Sequence, residues 1–200
     1  MTRQICGALL VSAALAACAS RAAYVPEEHA TATLGGRTAA SYTLPSERDP
    51  RGNLRLASHG ISKMKRNGVE SGKAIHVRMA ISHQGSGSMA VDARRQRLQL
   101  PDGRQLAPAY VASGRAAAPI SVPPGTSRTI DLYFPIPNDL ASAKSPYRFD
   151  VAWRVWTANG EISRVTPFDR VSVDPAAARA RSSERGVDAV PTDATMWSNP

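Results

Sequence analysis

Turn-forming residues cut the middle of this chain into pieces of strand length. Pro101-Asp102-Gly103, Pro123-Pro124-Gly125 and Asn159-Gly160 each close one run and open the next. Proline presets φ and glycine accepts φ > 0, so these positions reverse the chain within a few residues. Between the turns, apolar residues recur at every second position. One set is Ile75, Val77, Met79 and Ile81; another is Ile130, Leu132 and Phe134; a third is Tyr147, Phe149, Val151, Trp153 and Val155. A period of two places each set on one face of a strand. Arg95–Leu100 is a shorter run, and Gln105–Val111 is expected to return from it as a hairpin. Glu161–Val173 returns from Asn159-Gly160, with Pro167 marking a bulge or a change of strand. Arg37–Leu44 and Leu54–Met64 are weaker strand candidates.

Tight turns join neighbours antiparallel, and two sheets must cover each other's apolar faces. The expected fold is therefore all-β: an immunoglobulin-like antiparallel β-sandwich of seven or eight strands over residues 37–174, with a closed barrel as the alternative. A domain of about 140 residues buries roughly two-thirds of its unfolded surface and needs no disulfide. Residues 18–36 and 175–200 show no sustained periodicity and read as a flexible tether and a disordered tail.

The first residues are of a different kind. Arg3 precedes an apolar stretch from Ile5 to Ala17. That stretch is long enough for a signal-peptide core and too short to span a bilayer. Leu15-Ala16-Ala17-Cys18 resembles the lipobox of bacterial lipoproteins, which makes residues 1–17 a signal peptide. The resemblance implies a diacylglyceryl group on the Cys18 thiol, cleavage just before it, and a membrane anchor. Ala19 in place of Asp implies the outer membrane rather than retention in the inner one. Cys6 leaves with the signal and Cys18 becomes the anchor. No thiol then remains for a disulfide, a nucleophile or a thiolate metal site.

The order strand, Pro-Asp-Gly, strand, Pro-Pro-Gly, strand ending Phe134-Pro135-Ile136-Pro137 is similar to that of small exported immunoglobulin-like modules of bacterial lipoproteins. The likeness covers about 74–157. It implies the fold and carries no catalytic residue with it.

Motifs for chemistry are weak. Gly68-Val69-Glu70-Ser71-Gly72-Lys73-Ala74 falls one residue short of a phosphate loop, and Ala stands where the magnesium-binding hydroxyl belongs. Gly85-Ser86-Gly87-Ser88 is not a nucleophile elbow and reads as a loop. His76 and Met79 face opposite sides of one strand, so they do not share a copper ion, and His83 sits at that strand's end. His29 falls in the tether. Asp131, Asp150 and Asp169 suggest partners for arginine, not an acid–base pair. The expectation is a non-enzymatic protein with no cofactor and no metal.

Surface candidates come from aromatic and basic residues. The chain has 25 Lys+Arg against 16 Asp+Glu, a net charge of +9. Arg148, Arg154 and Trp156 share the outward parity of one strand, and Arg164 and Arg170 lie on the next. Arg94, Arg95 and Arg97 form a further basic cluster. Trp153 has core parity, and Trp197 stands alone in the tail. Two readings stay open. One is an accessory domain that binds an envelope protein through Trp156, Arg148, Arg154 and Arg164. The other is a module for a small ligand, a metal or an anionic envelope polymer. An exported lipoprotein is not expected to meet nucleic acid.

Overall fold

A computed structural model describes residues 21–44, 52–66, 69–112, 119–141 and 146–173. The signal segment, Leu15, Ala16, Ala17 and Cys18, Trp197 and the tail lie outside the described residues. The strands are β1 (Arg21–Pro26), β2 (Ala32–Leu34), β3 (Arg37–Leu44), β4 (Gly52–Arg66), β5 (Val69–His83), β6 (Met89–Val91), β7 (Arg97–Gln99), β8 (Gln105–Leu106), β9 (Tyr110–Ala112), β10 (Ile120–Ser121), β11 (Ser127–Pro135), β12 (Arg148–Thr157) and β13 (Gly160–Val173). A 3-10 turn, Ala93–Arg95, precedes β7, and a single helical turn, α1 (Asn138–Ala141), follows β11.

They form two sheets. Sheet A runs β1-β13-β12-β6-β10, with β7 also on β12 and β8 on β7; sheet B runs β2-β3-β4-β5-β11-β9. The ladders among β2–β13 are antiparallel. The fold is an antiparallel β-sandwich, as the alternation requires. Six long strands carry it. The two- and three-residue strands between them raise the count above the expected seven or eight.

The core follows from parity. Sheet B contributes Tyr42, Leu54, Leu56, Ile75, Val77, Met79, Ile81, Ile130, Leu132 and Phe134, and sheet A contributes Leu98, Phe149, Val151, Trp153, Val155 and Phe168. One polar group sits among them. Thr166 of β13 is fully buried, accepts a hydrogen bond from Trp153 Nε1 at 3.0 Å, and shares a second with the Tyr42 hydroxyl at 2.8 Å. That second bond crosses from sheet A to sheet B. The Tyr42 and Trp153 rings pack at 5.1 Å between centroids.

Several boundaries differ from the sequence expectation. The domain begins near Ala22, because β1 and β2 lie within the segment 18–36 assigned to a tether. Ala and Thr hid these strands, but Tyr24 is buried, packs 4.9 Å from Phe149 and donates to the Pro146 carbonyl at 2.6 Å. Gln105–Val111 is not one strand. β8 pairs with β7 in sheet A, and β9 pairs with β11 in sheet B. Pro108 lies between them and has no N–H to continue a ladder. Arg95–Leu100 is likewise shortened by the 3-10 turn at its start. Pro167 breaks nothing. It sits opposite Asp150 in regular register, and its carbonyl accepts from Glu27 N at 3.0 Å. Tyr147, expected on the inner face, is 70% exposed, because it precedes the first laddered residue of β12.

The weak alternation of Leu54–Met64 also has a cause. β4 carries a bulge between Ser58 and Gly60, which inserts His59 and shifts the parity by one. Gly60 has φ +80, and its N–H bonds the Ser58 hydroxyl at 3.1 Å.

Thr166→Val should strand two buried donors, Trp153 Nε1–H and the Tyr42 hydroxyl, at about 1–3 kcal/mol each. Tyr42→Phe should cost about 1 kcal/mol, because Trp153 keeps its acceptor. Urea denaturation of the two variants checks the order. Equal losses would mean that Thr166 does not serve both rings.

Candidate functional site

The outward parity of β12 and β13 was the expected site, and the structure divides its members. Trp156 lies opposite Glu161 on β13 and Ala90 on β6. Arg95 extends over the indole at 5.0 Å and reaches Glu161 Oε2 at 4.0 Å. Arg154 Nη1 donates to Glu161 Oε1 at 3.1 Å. One carboxylate thus sits between two guanidinium groups beside a half-buried tryptophan.

A buried amide positions this cluster. β12 pairs with β7 at Asp150–Ala152 and with β6 at Trp156–Thr157, leaving Arg154 in the gap. Gln96, fully buried, fills it. Its Oε1 accepts from Arg154 N at 2.8 Å, and its Nε2 donates to the Arg154 carbonyl at 3.1 Å and the Asp92 carbonyl at 2.8 Å. The side-chain amide stands in for a strand backbone, so no ladder group of Arg154 is left unpaired. Asp92 caps the preceding 3-10 turn by accepting from Arg94 N at 3.0 Å. Its side-chain bond from Arg94 outweighs burial and holds the Asp92 pKa below the usual carboxylate value. Cap and amide together present Arg95 to Trp156.

Arg148 is elsewhere. It lies six residues from Arg154 on β12, about 20 Å away at strand rise. There it pairs with Glu27 at 3.0 Å and approaches Asp150 at 3.6 Å. Arg164 is on the other face. It lies opposite Trp153, so it points to the core side, and its guanidinium lies 5.8 Å from the centre of the Tyr42 ring. The uncertainty that hid this was the β12–β13 turn. Thr157 pairs with Gly160, a two-residue connection with Gly160 at φ +120, which puts Ser163, not Arg164, opposite Arg154. Between the two ionic clusters Val165 is 54% exposed opposite Ala152.

A second cluster went unforeseen on the outer face of sheet B. His76 Nε2 meets Asp131 Oδ1 at 2.8 Å, and Arg78 grips the same carboxylate through Nε at 2.7 Å and Nη2 at 3.1 Å. Burial raises the Asp131 pKa, but the bonds from Arg78 and His76 together outweigh it and hold the carboxyl low. The His76 ring stacks on Tyr133 at 4.4 Å and on His59 at 4.7 Å. The bulge brings His59 there, with Gly60 pairing opposite His76. The turn Gly35-Gly36 of the β2–β3 hairpin closes over the cluster. Both residues have positive φ, and a Cβ on Gly35 would lie 2.7 Å from Arg78 Nη1. His59 Nε2 is buried with no partner among the described residues. The sequence signal for this cluster was cross-strand register, which needs the bulge.

Other candidates resolve simply. Met79 is buried on the core side while His76 lies outside, as their parity required. His83 is buried at the end of β5, its Nδ1 donating to the Val122 carbonyl at 2.9 Å. Among the described residues no three His, Cys, Asp or Glu side chains are grouped to hold a metal. Gly85–Ser88 is a loop between β5 and β6.

No family model matches the chain, and no curated protein does. Two solved structures resemble it at low similarity. One is the secreted protein MPT63 of Mycobacterium tuberculosis, at 14% identity over 62% of this chain and 88% of that one, with a TM-score of 0.35. The other is a structural-genomics target, SoR45, at 12% identity over the same shares, with a TM-score of 0.32. The strands and registers themselves establish the fold.

Two outcomes follow from these sites. Gln96→Leu should destabilise the domain by about 1–3 kcal/mol, since Arg154 N–H loses its acceptor, and it should change Trp fluorescence as Arg95 moves. His59 carries the pH effect. Burial first, then His76, Arg78 and Arg37, disfavour its charged form against Asp131, so its pKa lies below the ordinary 6.5. The unfolded chain binds the proton more readily, so stability falls as pH drops through about 6.5. Urea midpoints at pH 7.5 and 5.5 should differ less in His59→Asn than in the parent. An unchanged difference would remove His59 from the account.

Proposed function

We propose that this protein is a lipid-anchored envelope lipoprotein whose β-sandwich is a non-enzymatic interaction module. Its partner is an envelope protein that docks on the outer face of sheet A. The observation that carries the reading is Trp156 with Arg95 stacked on it, held by Glu161 and the Gln96 bridge. A half-buried tryptophan beside a fixed arginine is the composition of an interface anchor. Exposed Val165 adds apolar surface, and the ionic pairs at either side supply a polar rim. Pairing also argues against an anionic polymer on this face, since Arg148 and Arg154 each spend their charge on a carboxylate.

The anchor reading rests on Leu15–Cys18 and sharpens the geometry. Arg21, where β1 begins, is the third residue after Cys18. At about 3.3–3.6 Å per residue the first strand starts within roughly 10 Å of the lipidated sulfur. The module is thus held close to a membrane surface, on the periplasmic side of the outer membrane by the Ala19 rule.

In-cell crosslinking of the tagged protein, followed by mass spectrometry, tests both parts. One envelope protein should be captured reproducibly and lost in Trp156→Ala, with the urea midpoint of that variant near the parent's. Capture of glycan fragments, or capture indifferent to Trp156, would overturn the docking face. Cys18→Ala should move the protein from membranes to the soluble fraction. Retention on membranes after an alkaline wash would overturn the anchor.

A further inference from the structure

The outer face of sheet B holds a feature apart from both clusters. Thr43, Gly52, Asn53, Arg55, Ser82 and Gln84 line an open hollow of about 480 Å³. We propose that this hollow binds a phosphate group, with Arg55 as its charged contact.

Register explains why Arg55 stands alone there. Its cross-strand neighbours are Ser41 on β3 and Ala80 on β5, and Ala80 is followed by Thr129 on β11. The next row outward is Thr43, Asn53, Ser82 and Ser127. Both rows consist of hydroxyls, an amide and a methyl around one guanidinium. Several outer-face arginines are neutralised: Arg78, Arg148 and Arg154 lie 2.7, 3.0 and 3.1 Å from carboxylates, whereas Arg37, at the far end of β3, lies beside His59 and outside the hollow. Arg55 is exposed and has no carboxylate partner among the described residues. The nearest carboxylate on the ladder, Asp131, is already committed to Arg78 and His76.

The donors suit a tetrahedral oxyanion. A guanidinium offers a bidentate fork, and phosphate accepts from several further directions at once. On the floor, Asn53 Nδ2 spends one proton on Ser41 Oγ at 3.0 Å and keeps the other for a ligand, while Ser82 Oγ spends its only proton on the Asn53 carbonyl at 3.4 Å and fixes the shape of the floor. Thr43 and Gln84 at the rim add a hydroxyl and an amide. The volume lies within the range of about 300–1,000 Å³ typical of ligand sites, so the phosphate arrives attached to a larger group or alone. A free phosphate and a lipid headgroup share this chemistry.

The test uses the full chain carrying Cys18→Ser, to keep lipid off the protein, with two probes. Inorganic phosphate is titrated while amide signals of Asn53, Arg55 and Ser82 are followed by NMR. Cosedimentation is measured with phosphatidylglycerol vesicles and with phosphatidylcholine vesicles at low salt. The proposal expects binding that weakens at least about tenfold in Arg55→Gln, recovers in part in Arg55→Lys, and is unaffected by Arg170→Gln. Shifts with inorganic phosphate assign a free or soluble phosphate. Arg55-dependent binding to phosphatidylglycerol vesicles alone assigns a headgroup. Absence of binding to both probes, or binding equal in Arg55→Gln and parent, overturns the site.

Discussion

One buried hydroxyl ties the two layers together through the core. Thr166 occupies a position that the rest of β13 would give to an apolar residue, and it is the acceptor for Trp153 within its own sheet and the partner of Tyr42 in the other. The largest core side chain carries a donor, and a donor buried without an acceptor costs about as much as several buried methylenes contribute. Trp153 can fill the interior only where something accepts its N–H. Thr166 supplies that acceptor two residues past Trp153's own cross-strand partner, Arg164. The arrangement fixes which way the indole lies, and with it the packing of Tyr42. Arg164, on the core side of β13, is then left to cover the outer side of the Tyr42 ring.

The basic composition reads differently once registers are known. Arg outnumbers Lys 21 to 4 in this chain. Guanidinium groups favour planar bidentate partners, and several of these arginines have one: Arg78 on Asp131, Arg94 on Asp92, Arg104 on Asp102. Some of these pairs are local, two residues apart on a turn or cap. Others, such as Arg78–Asp131 and Arg154–Glu161, lie across strands and report the pairing itself. A net charge summed over the chain says nothing of this division. The charge that matters for recognition is the residue of guanidinium left over after cross-strand carboxylates are counted.

The sandwich was legible because its strongest signals are local. Alternation through Ile75–Ile81 and Phe149–Val155 needs no tertiary knowledge, and neither does Pro-Asp-Gly. What stayed hidden depends on other strands. β1 and β2 are made of small or weakly patterned residues and gain their structure from edges that β13 and β3 already present. His59 breaks the parity of β4, and only the pairing of Gly60 with His76 reveals the bulge. Trp156, Arg154 and Arg148 were placed on the outward side by counting alone. Arg164 was not, since one residue of turn length flips a whole strand. Gln96 was invisible for another reason: an amide that replaces a strand backbone leaves no periodic trace.

The two outer faces are suited to different ligands by the same rule of cross-strand pairing. On sheet A, β12 and β13 bring Arg154 to Glu161, and the face that remains is aromatic and apolar with its charges neutralised. Desolvating such a face costs less than desolvating bare charges, because Arg95, Arg148 and Arg154 already share carboxylates when a second surface arrives. On sheet B, β3 and β5 bring Ser41 and Ala80 to Arg55, and among the described residues no carboxylate pairs with it within an array of hydroxyls and amides. A flat apolar partner would have to strip that guanidinium of water without replacing it, whereas an oxyanion replaces the water with charge. The two proposed occupants, of opposite chemistry, fall on different faces of one small domain, each face set by which residue the neighbouring strand presents.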